Sequence, residues 1–502
     1  QPVPGIPFDT SLYGVVHYPG DLSAGPYPLV VFLHGNHGNC RNPDTLEDVC
    51  VTRTTERCEE PGLITTPNAF GYTYLQDTLA AQGFVTLSIG ANALNCRDDI
   101  DAFVLERIEL VREHLRRWVA WSGAGAEPLG TQFSGAVDMS RVSLFGHSRG
   151  GAAMSGMPSS LSESPIDGVA LASVFALAPT DPTSPSPSPG RFATLLPSCD
   201  GDVPRLEGAQ QYDRTAFGDN PHPRAQALLV GANHNFFNTQ WLVDENQEAG
   251  VAPVCSPGQL IGGPAQRAAL ELVLSDWVLR ASDDAPLPAY MRADADTPAP
   301  FADWAQTHLD LRWSYLAPSR RVLDNFTTRS DPDQNTLGLD NSYVGFSSVD
   351  WFDSCSQVCK FPSRKQAVRV TWNAPASAHF ELGDLDASDF TTLSLRFASS
   401  PMKSALDPGL LEHDFALIVR DTEGASAAVS LAELGRLAHG YPTLAQGGPQ
   451  DVLSAVRVPL AELVAREPGL DTAHLAELEL RFPGDGSSIG SVWLGDFELA
   501  AE

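Results

Sequence analysis

A short glycine-rich run constrains the fold of this chain more than any other feature. Residues 146–151 read Gly-His-Ser-Arg-Gly-Gly and directly follow the apolar segment Arg-Val-Ser-Leu-Phe at 141–145. The apolar segment predicts a buried strand, and the glycines predict a turn with no room for side chains beside Ser148. We therefore expect a strand, a sharp turn that presents the Ser148 hydroxyl, and then a helix. Chance also produces this spacing, so its meaning depends on partner residues elsewhere.

Segments on both sides of this turn alternate between a strand pattern and a helix pattern. Continuous apolar runs predict strands buried on both faces, and apolar residues at three- and four-residue spacing predict amphipathic helices. The predicted strands cover residues 13–18, 28–33, 84–89, 141–145, 168–177, 192–196 and 227–230, and the predicted helices cover 72–81, 100–119 and 265–280. This alternation predicts an α/β fold for residues 1–282, with a parallel-type sheet and helices on both of its faces.

The last part of the chain has a different pattern. A stretch rich in proline, aspartate and alanine begins at residue 283, and we expect residues 283–322 to form a linker and a connecting helix. Short apolar segments separated by turn residues predict strands at 368–372, 393–397, 415–419, 456–458, 478–482 and 492–497. They predict an all-β sandwich of the jelly-roll type over residues 323–502. A chain of 502 residues is too long for one ordinary core, which agrees with more than one domain.

The cysteines indicate an oxidising compartment. Their number, eight, is even, and none forms a Cys-x-x-Cys pair, which favours disulfides over a zinc site. Among the three pairings of the first four cysteines we prefer Cys40–Cys58 with Cys50–Cys96, and the remaining candidate pairs are Cys199–Cys255 and Cys355–Cys359. We therefore expect a secreted, extracellular protein whose signal peptide has been removed. The alternative is a cytosolic protein with buried free thiols.

Charge and hydropathy exclude two classes of partner. The formal net charge is -30, and phosphate binding needs basic patches, so we expect no nucleic-acid partner. No segment approaches the roughly 20 consecutive apolar residues that a membrane span needs, so we expect no membrane span. The acidic surface, with Lys360, Lys365 and Lys403 as the only lysines, suits a saline habitat, although a GC-rich genome would also deplete lysine. We expect the chain to act as a monomer.

Partners for Ser148 follow in the order that nucleophilic catalysis requires. A serine hydroxyl becomes a nucleophile when a histidine takes its proton, and an acid fixes the tautomer of that histidine. Asp200 follows the next-to-last predicted strand, and His234 follows the last one. We predict Ser148, His234 and Asp200 as a catalytic triad, each at the carboxyl end of a strand. Asp202 competes for the acid role, and we favour Asp200 because it stands four residues before Pro204.

Two backbone amides should stabilise the negative oxygen of a tetrahedral intermediate. One belongs to Arg149, directly after the nucleophile, and the other to Asn36, in the turn after the first buried strand. Gly35 in that turn lets the backbone approach closely. Residues predicted to contact substrate are Gly35, His37, His147 and Phe236, although His147 at the variable second position of the turn also favours packing behind the serine.

These motifs resemble the α/β-hydrolase superfamily over residues 1–282. Within it, residues 146–151 and the turn His34-Gly35-Asn36 resemble the branch of chlorophyllases, platelet-activating-factor acetylhydrolases and cutinase-like polyester hydrolases. Cys199 and Cys255 resemble the disulfide between the acid and histidine loops of some bacterial polyester hydrolases. The resemblance implies hydrolysis of carboxylic esters through an acyl-enzyme, with no cofactor.

The chain departs from this branch in two ways. The insertion around Cys40 and Cys58 is longer than in a compact cutinase, and no lid segment follows the sixth strand. The second departure implies an open site that admits bulky or polymeric esters. We therefore expect a serine esterase for lipid, aryl or polyester substrates. The alternatives are a peptidase or acyltransferase with the same triad, and a non-catalytic binding or adhesion protein led by its β domain.

The β domain resembles carbohydrate-binding jelly rolls through residues 323–326 (Leu-Asp-Asn-Phe) and 495–499 (Gly-Asp-Phe-Glu-Leu). The resemblance implies a carbohydrate or polymer surface as its partner. Residues 331–335 (Asp-Pro-Asp-Gln-Asn) are similar to a calcium loop, which leaves structural calcium and a solvated turn as alternatives. No other metal is expected. Trp351, Phe352 and Trp372 fit either stacking on sugars or packing in the core.

Overall fold

The structure is a computed structural model, and it describes residues 3–8, 10–52, 56–97, 103–188, 190–218, 220–295, 309–326, 333–352, 367–399, 415–430, 433–434, 452–484 and 490–501. The strands of the first part are Gly14–His17 (β1), Tyr27–Leu33 (β2), Cys40–Arg41 (β3), Asp48–Val49 (β4), Ile64–Thr65 (β5), Val85–Ile89 (β6), Val137–His147 (β7), Leu171–Leu177 (β8), Phe192–Pro197 (β9), Arg224–Leu229 (β10) and Leu311–Leu316 (β11). Those of the second part are Ser319–Asp324 (β12), Asn341–Val344 (β13), Ser348–Phe352 (β14), Ala367–Trp372 (β15), Ala376–Leu385 (β16), Thr392–Ser399 (β17), Ala416–Asp421 (β18), Ser426–Ser430 (β19), Ser454–Pro459 (β20), Leu475–Phe482 (β21) and Gly490–Ala501 (β22). The α-helices are Thr73–Ala81 (α1), Val104–Ser122 (α2), Arg149–Glu163 (α3), Gly208–Arg214 (α4), Glu245–Glu248 (α5), Gly263–Ser282 (α6) and Leu460–Arg466 (α7).

A mixed sheet of eight strands organises the first part of the chain. Its order is β1-β6-β2-β7-β8-β9-β10-β11, with parallel pairing except at the two edge strands, β1 and β11. Alternate residues of a strand face opposite sides of a sheet. In β2, Val30 and Phe32 join a core that includes α1 and α6 residues, whereas Leu29 and Val31 join one that includes α2 and α3 residues. Helices therefore cover both faces, as predicted from the alternation of patterns.

The segment predicted as a linker, residues 283–322, contains a strand of this sheet. β11 pairs antiparallel with β10 along six residues and closes that edge. Trp313 and Tyr315 of β11 are buried among residues of the first part, which is why this short segment orders against β10. Residues 296–308 lie outside the described residues, and a short 3-10 turn at Ala289–Arg292 precedes them.

Two antiparallel sheets form the second part of the chain. One has the order β14-β15-β22-β17-β20, with β12 also paired to β22, and the other has the order β13-β16-β21-β18-β19. Val370 and Phe497 of the first of these sheets share a core with Phe380 and Leu480 of the second. Alternating apolar residues on the two sheets therefore face each other.

The structure contains three of the predicted disulfides. Cys40–Cys58 and Cys50–Cys96 fasten the loop that carries the small sheet β4-β3-β5, and Cys199–Cys255 joins two later loops. The preferred pairing of the first four cysteines is thereby confirmed. Cys355 and Cys359 lie outside the described residues. In the part of the chain that the structure describes, no helix has the length and apolar content of a membrane span.

Candidate active site

Ser148 lies on a strained turn between β7 and α3. Its φ is 57° and its ψ is -125°, a conformation that a residue with a side chain adopts only when its surroundings enforce it. The amide of Ser148 donates to the carbonyl of Leu177, 2.9 Å away, which fixes the turn to β8. A Cβ on Gly146 would clash with the Gly150 carbonyl, and one on Gly150 would clash with the Leu33 carbonyl. The glycines of the motif are therefore needed for backbone packing, as predicted.

Asp200 and His234 lie in contact at the ends of β9 and β10. Nδ1 of His234 is 2.9 Å from Oδ2 of Asp200, and both side chains are 1% exposed. The other carboxylate oxygen of Asp200 accepts hydrogen bonds from the amides of Asp202, at 3.0 Å, and Val203, at 2.6 Å. Two amides that donate to one oxygen fix the direction of the carboxylate. The geometry thus places Asp200, and not Asp202, at Nδ1 of His234.

Asp202 lies on the other side of the imidazole. Its Oδ2 is 3.4 Å from Nε2 of His234, and its side chain is 54% exposed. Within the described residues, Nε2 makes no hydrogen bond, and therefore none with the Ser148 hydroxyl. Nucleophile and base often stand further apart without substrate than during the reaction.

Ser148 and His234 are both buried. Ser148 and His234 are each 1% exposed, which differs from the open site that the missing lid implied. Close packing explains the difference, because a Cβ on Gly35 would lie 2.5 Å from Cβ of Ser148 and 3.1 Å from its Oγ. Gly35 thus lies against Ser148, and the turn after β2 covers Ser148 on that side.

Glu245, which the sequence interpretation missed, ties the acid loop to the histidine loop. One oxygen accepts from the amides of Gly201, at 2.8 Å, and His234, at 3.0 Å, and the other from that of Asn235, at 3.3 Å. Burial, followed by the charge of Asp200, raises the pKa of Glu245 to about 7. Glu245 opens the four-residue helix α5 in a polar stretch, where no periodicity marks it.

The charge around His234 favours its protonated form. Burial opposes protonation of the ring, but the carboxylates of Asp200, Asp202 and Glu245 outweigh burial and raise the pKa of His234 above its ordinary 6.5. His234 is therefore neutral, and able to accept a proton, only towards alkaline pH.

Hydrogen bonds of the His34 and Asn36 side chains fix the turn after β2. His34 donates from Nδ1 to the carbonyl of Gly35, at 2.8 Å, and accepts at Nε2 from the amide of Ala91, at 2.9 Å. Burial lowers the pKa of His34 to about 3, so the ring stays neutral and keeps this tautomer. The Asn36 side chain accepts from the amide of Cys96, at 2.8 Å. These bonds fix the backbone of the turn, which meets the Ser148 side chain at Gly35.

Arg149 is the first residue of helix α3, so its amide lies next to Ser148. The free amides in the first turn of a helix point away from its N-terminus, and the partial positive charge of the helix dipole at that end stabilises a negative charge. The predicted pair of donors, Arg149 and Asn36, thus belongs to two segments that meet beside Ser148.

His37 and His147, both predicted to contact substrate, lie in an aromatic cluster around Trp241. His37 stacks on Trp241 with ring centroids 4.6 Å apart, and the His147 ring lies 4.8 Å from that of His234. Both histidines are buried, and Nδ1 of His147 lies 2.9 Å from the Tyr72 hydroxyl. Burial, then the nearby His234, lowers the pKa of His147, so this ring is neutral. Packing, the alternative expected for His147, is what the structure shows.

Phe236, the remaining residue predicted to contact substrate, is half-buried just after His234. It lies in the 3-10 turn Asn235–Phe237, and its carbonyl accepts from Arg267, at 2.9 Å. The carbonyl bond fixes the backbone of the turn that follows the histidine.

Replacing both cysteines of the Cys199–Cys255 bridge with serine should lower the free energy of unfolding by about 2–5 kcal/mol. The bridge spans 56 residues of sequence and joins the acid loop to the segment after His234, so its loss frees a long loop in the unfolded chain. Urea denaturation measures the loss. The matched control removes Cys40–Cys58, which spans only 18 residues and should cost about 1 kcal/mol less. Equal stability of the wild type and the first variant would contradict the prediction.

The predicted features of the β domain can be placed only in part. Trp372 is buried in the core of the two sheets, and the partly buried Trp351 packs against that core. The side chain of Phe352 is outside the described residues. Asp331 is also outside them. The side-chain oxygen of Asn335 accepts from the amides of Leu337, at 3.0 Å, and Leu339, at 3.1 Å, which stabilises a turn. Among the described residues, no group of three acidic, histidine or cysteine side chains could hold a metal ion.

No protein-family model matches this chain, and no curated protein matches it.

Proposed function

We propose that this chain is a secreted serine esterase that hydrolyses carboxylic esters through an acyl-enzyme. One observation carries the proposal: Ser148 sits on a strained strand-to-helix turn, in the same sheet whose later strand ends bring Asp200 and His234 to 2.9 Å. Buried carboxylate–imidazole pairs and strained serines both cost stability, so their presence at one edge of a sheet favours a catalytic role. The order of the strands also supports an α/β-hydrolase fold.

In this proposal the Ser148 oxygen attacks the ester carbonyl while Nε2 of His234 takes its proton. Asp200 holds the ring in the tautomer with hydrogen on Nδ1. The amides of Arg149 and Asn36 donate to the oxyanion. His234 then gives the proton to the leaving alcohol. In the second half of the reaction His234 takes a proton from a water molecule, the water oxygen attacks the acyl carbonyl, and His234 returns the proton to the Ser148 oxygen as the acid departs. The reaction needs no metal or cofactor group.

Two further proposals concern the whole protein. The three disulfides favour an oxidising, extracellular location, because such bonds persist there. The two antiparallel sheets that share a core are compatible with a jelly-roll domain, and we propose a carbohydrate or polymer surface as its ligand. Substrates in the lipid, aryl and polyester classes are all compatible with the triad.

A fluorophosphonate probe should label the wild-type protein at Ser148, and peptide mass spectrometry should locate the adduct there. The Ser148→Ala variant should not be labelled, whereas Ser134→Ala, which changes an exposed serine, should be labelled like the wild type. The labelled protein should also lose its turnover of p-nitrophenyl esters. An unlabelled wild type, or an adduct on another residue, would contradict the proposal. Faster turnover of peptides, or transfer to an added alcohol, would identify a peptidase or an acyltransferase instead.

A further inference from the structure

We infer that Asp202 is a positioning residue that pairs with His234 at Nε2 in the resting protein and must leave before catalysis begins. This inference rests on the proposed function. Nε2 is the atom that takes the proton of Ser148, yet its charged neighbour in the structure is Asp202, at 3.4 Å. Because Asp200 already occupies Nδ1, the imidazole lies between two carboxylates. The two aspartates of the acid loop therefore have opposite roles.

The surroundings of Asp202 allow its side chain to move while its backbone stays fixed. Its amide donates to Oδ1 of Asp200, which anchors the main chain within the acid loop. Its side chain is 54% exposed, whereas the side chains of Asp200 and His234 are each 1% exposed. Rotation of the Asp202 side chain into water thus needs no rearrangement of the triad. The same rotation removes the carboxylate of Asp202 from Nε2 of His234.

Titratable groups face His234 from three elements. The carboxylates are Asp200 and Asp202 in the loop after β9 and Glu245 and Glu248 in α5. The third element is the end of β7, where the titratable group is His147, whose ring is neutral. Among these carboxylates, Asp200 and Asp202 form ion pairs with the ring nitrogens of His234. The Asp200 side chain is buried, whereas that of Asp202 is exposed, so Asp202 is the one of the two that can move into water. A carboxylate this close favours the protonated ring. Protonated His234 has no lone pair at Nε2 with which to take the proton of Ser148.

The proton balance sets the pH dependence. In the resting state the protonated ring faces Asp200 with its Nδ1 hydrogen and Asp202 with its Nε2 hydrogen, and the Nε2 proton must pass to solvent before Nε2 can act as a base. The pKa of His234 is raised above 6.5, so activity should fall as the pH drops through a midpoint above that value. Removing the charge of Asp202 should move this midpoint to lower pH. Added salt should do the same in the wild type, because Asp202 is exposed to the solvent.

The test is the pH dependence of kcat/KM for p-nitrophenyl acetate in the full-length protein and in Asp202→Asn. We expect the acid midpoint of the variant to lie about one pH unit lower, which raises kcat/KM about tenfold at pH values below both midpoints. The wild-type midpoint should fall with added salt, and that of the variant should respond less. Asp202→Ser provides a second variant with the same expectation.

Asp167→Asn is the matched control, because it removes the same charge from an exposed aspartate elsewhere. Its midpoint should equal that of the wild type. Identical midpoints for wild type and Asp202→Asn would overturn the inference and leave the esterase proposal intact. A large loss of turnover at every pH would instead assign the acid role to Asp202 and also overturn it. A wild type with neither ester turnover nor fluorophosphonate labelling would overturn the proposed function itself.

Discussion

Replacing Asp200 with asparagine should lower kcat for ester hydrolysis by about 10⁴-fold. The oxygen of the asparagine can keep the hydrogen bonds from the amides of Asp202 and Val203. Its NH2 group then faces Nδ1 of His234, which must become an acceptor. Nε2 of His234 carries the hydrogen in that tautomer and cannot take the proton of Ser148. The loss therefore comes from a wrong tautomer and not from a distorted site.

Steady-state kinetics at the alkaline plateau measure this effect, and circular dichroism checks that the variant is folded. Asp202→Asn is the matched comparison, since it makes the same change two residues away. Its kcat/KM should rise at neutral pH, whereas that of Asp200→Asn should fall at every pH. Equal, small effects of both substitutions would contradict a triad that depends on Asp200.

The sequence predicted the parts of the site that depend on local pattern and chain order. Ser148, Asp200 and His234 each follow an apolar run, and parallel strands bring their carboxyl ends to one edge whatever the details of the loops. Asp200 and Asp202 could be ranked from the spacing to Pro204, but only the fold places one at Nδ1 and the other near Nε2.

Other features could not be predicted, because they depend on contacts between distant segments. Glu245 holds the site through three backbone amides, and its neighbours in sequence carry no pattern that marks the role. β11 has the strand-like sequence Leu-Arg-Trp-Ser-Tyr-Leu, yet its place beside β10 follows from burial of Trp313 and Tyr315. The burial of Ser148 is likewise a result of loop packing, which lid length alone does not determine.

Replacing Arg396 with alanine should lower the free energy of unfolding by about 3–5 kcal/mol. Arg396 lies on β17 in the second part of the chain, and its guanidinium is 3.0 Å from Asp213 of α4 in the first part and 2.7 Å from Asp496 of β22. All three side chains are at most 3% exposed. Without the guanidinium, two carboxylates remain buried together, and the desolvation of that charge is no longer offset.

Urea denaturation should detect the loss in the first unfolding transition. Arg466→Ala is the control, since Arg466 pairs with Glu433 and Glu462 at the surface and should contribute less than about 1 kcal/mol. A triple variant with Arg396→Met, Asp213→Asn and Asp496→Asn should recover much of the stability, because it leaves no unpaired charge. A single variant as stable as the wild type would show that the cluster is not needed to join the two parts.

The cluster also determines how the two parts can be separated. A chain cut at residue 282, where the sequence pattern places the end of the first domain, would lose β11 and expose the edge of β10. It would also leave Asp213 without the guanidinium that pairs with it. Such a fragment should be less stable than the full chain for both reasons, and restoring residues up to Leu316 should correct only the first. The difference in stability between the two fragments therefore measures the contribution of the edge strand β11. The difference in stability between the longer fragment and the full chain measures the contribution of contacts with the second part.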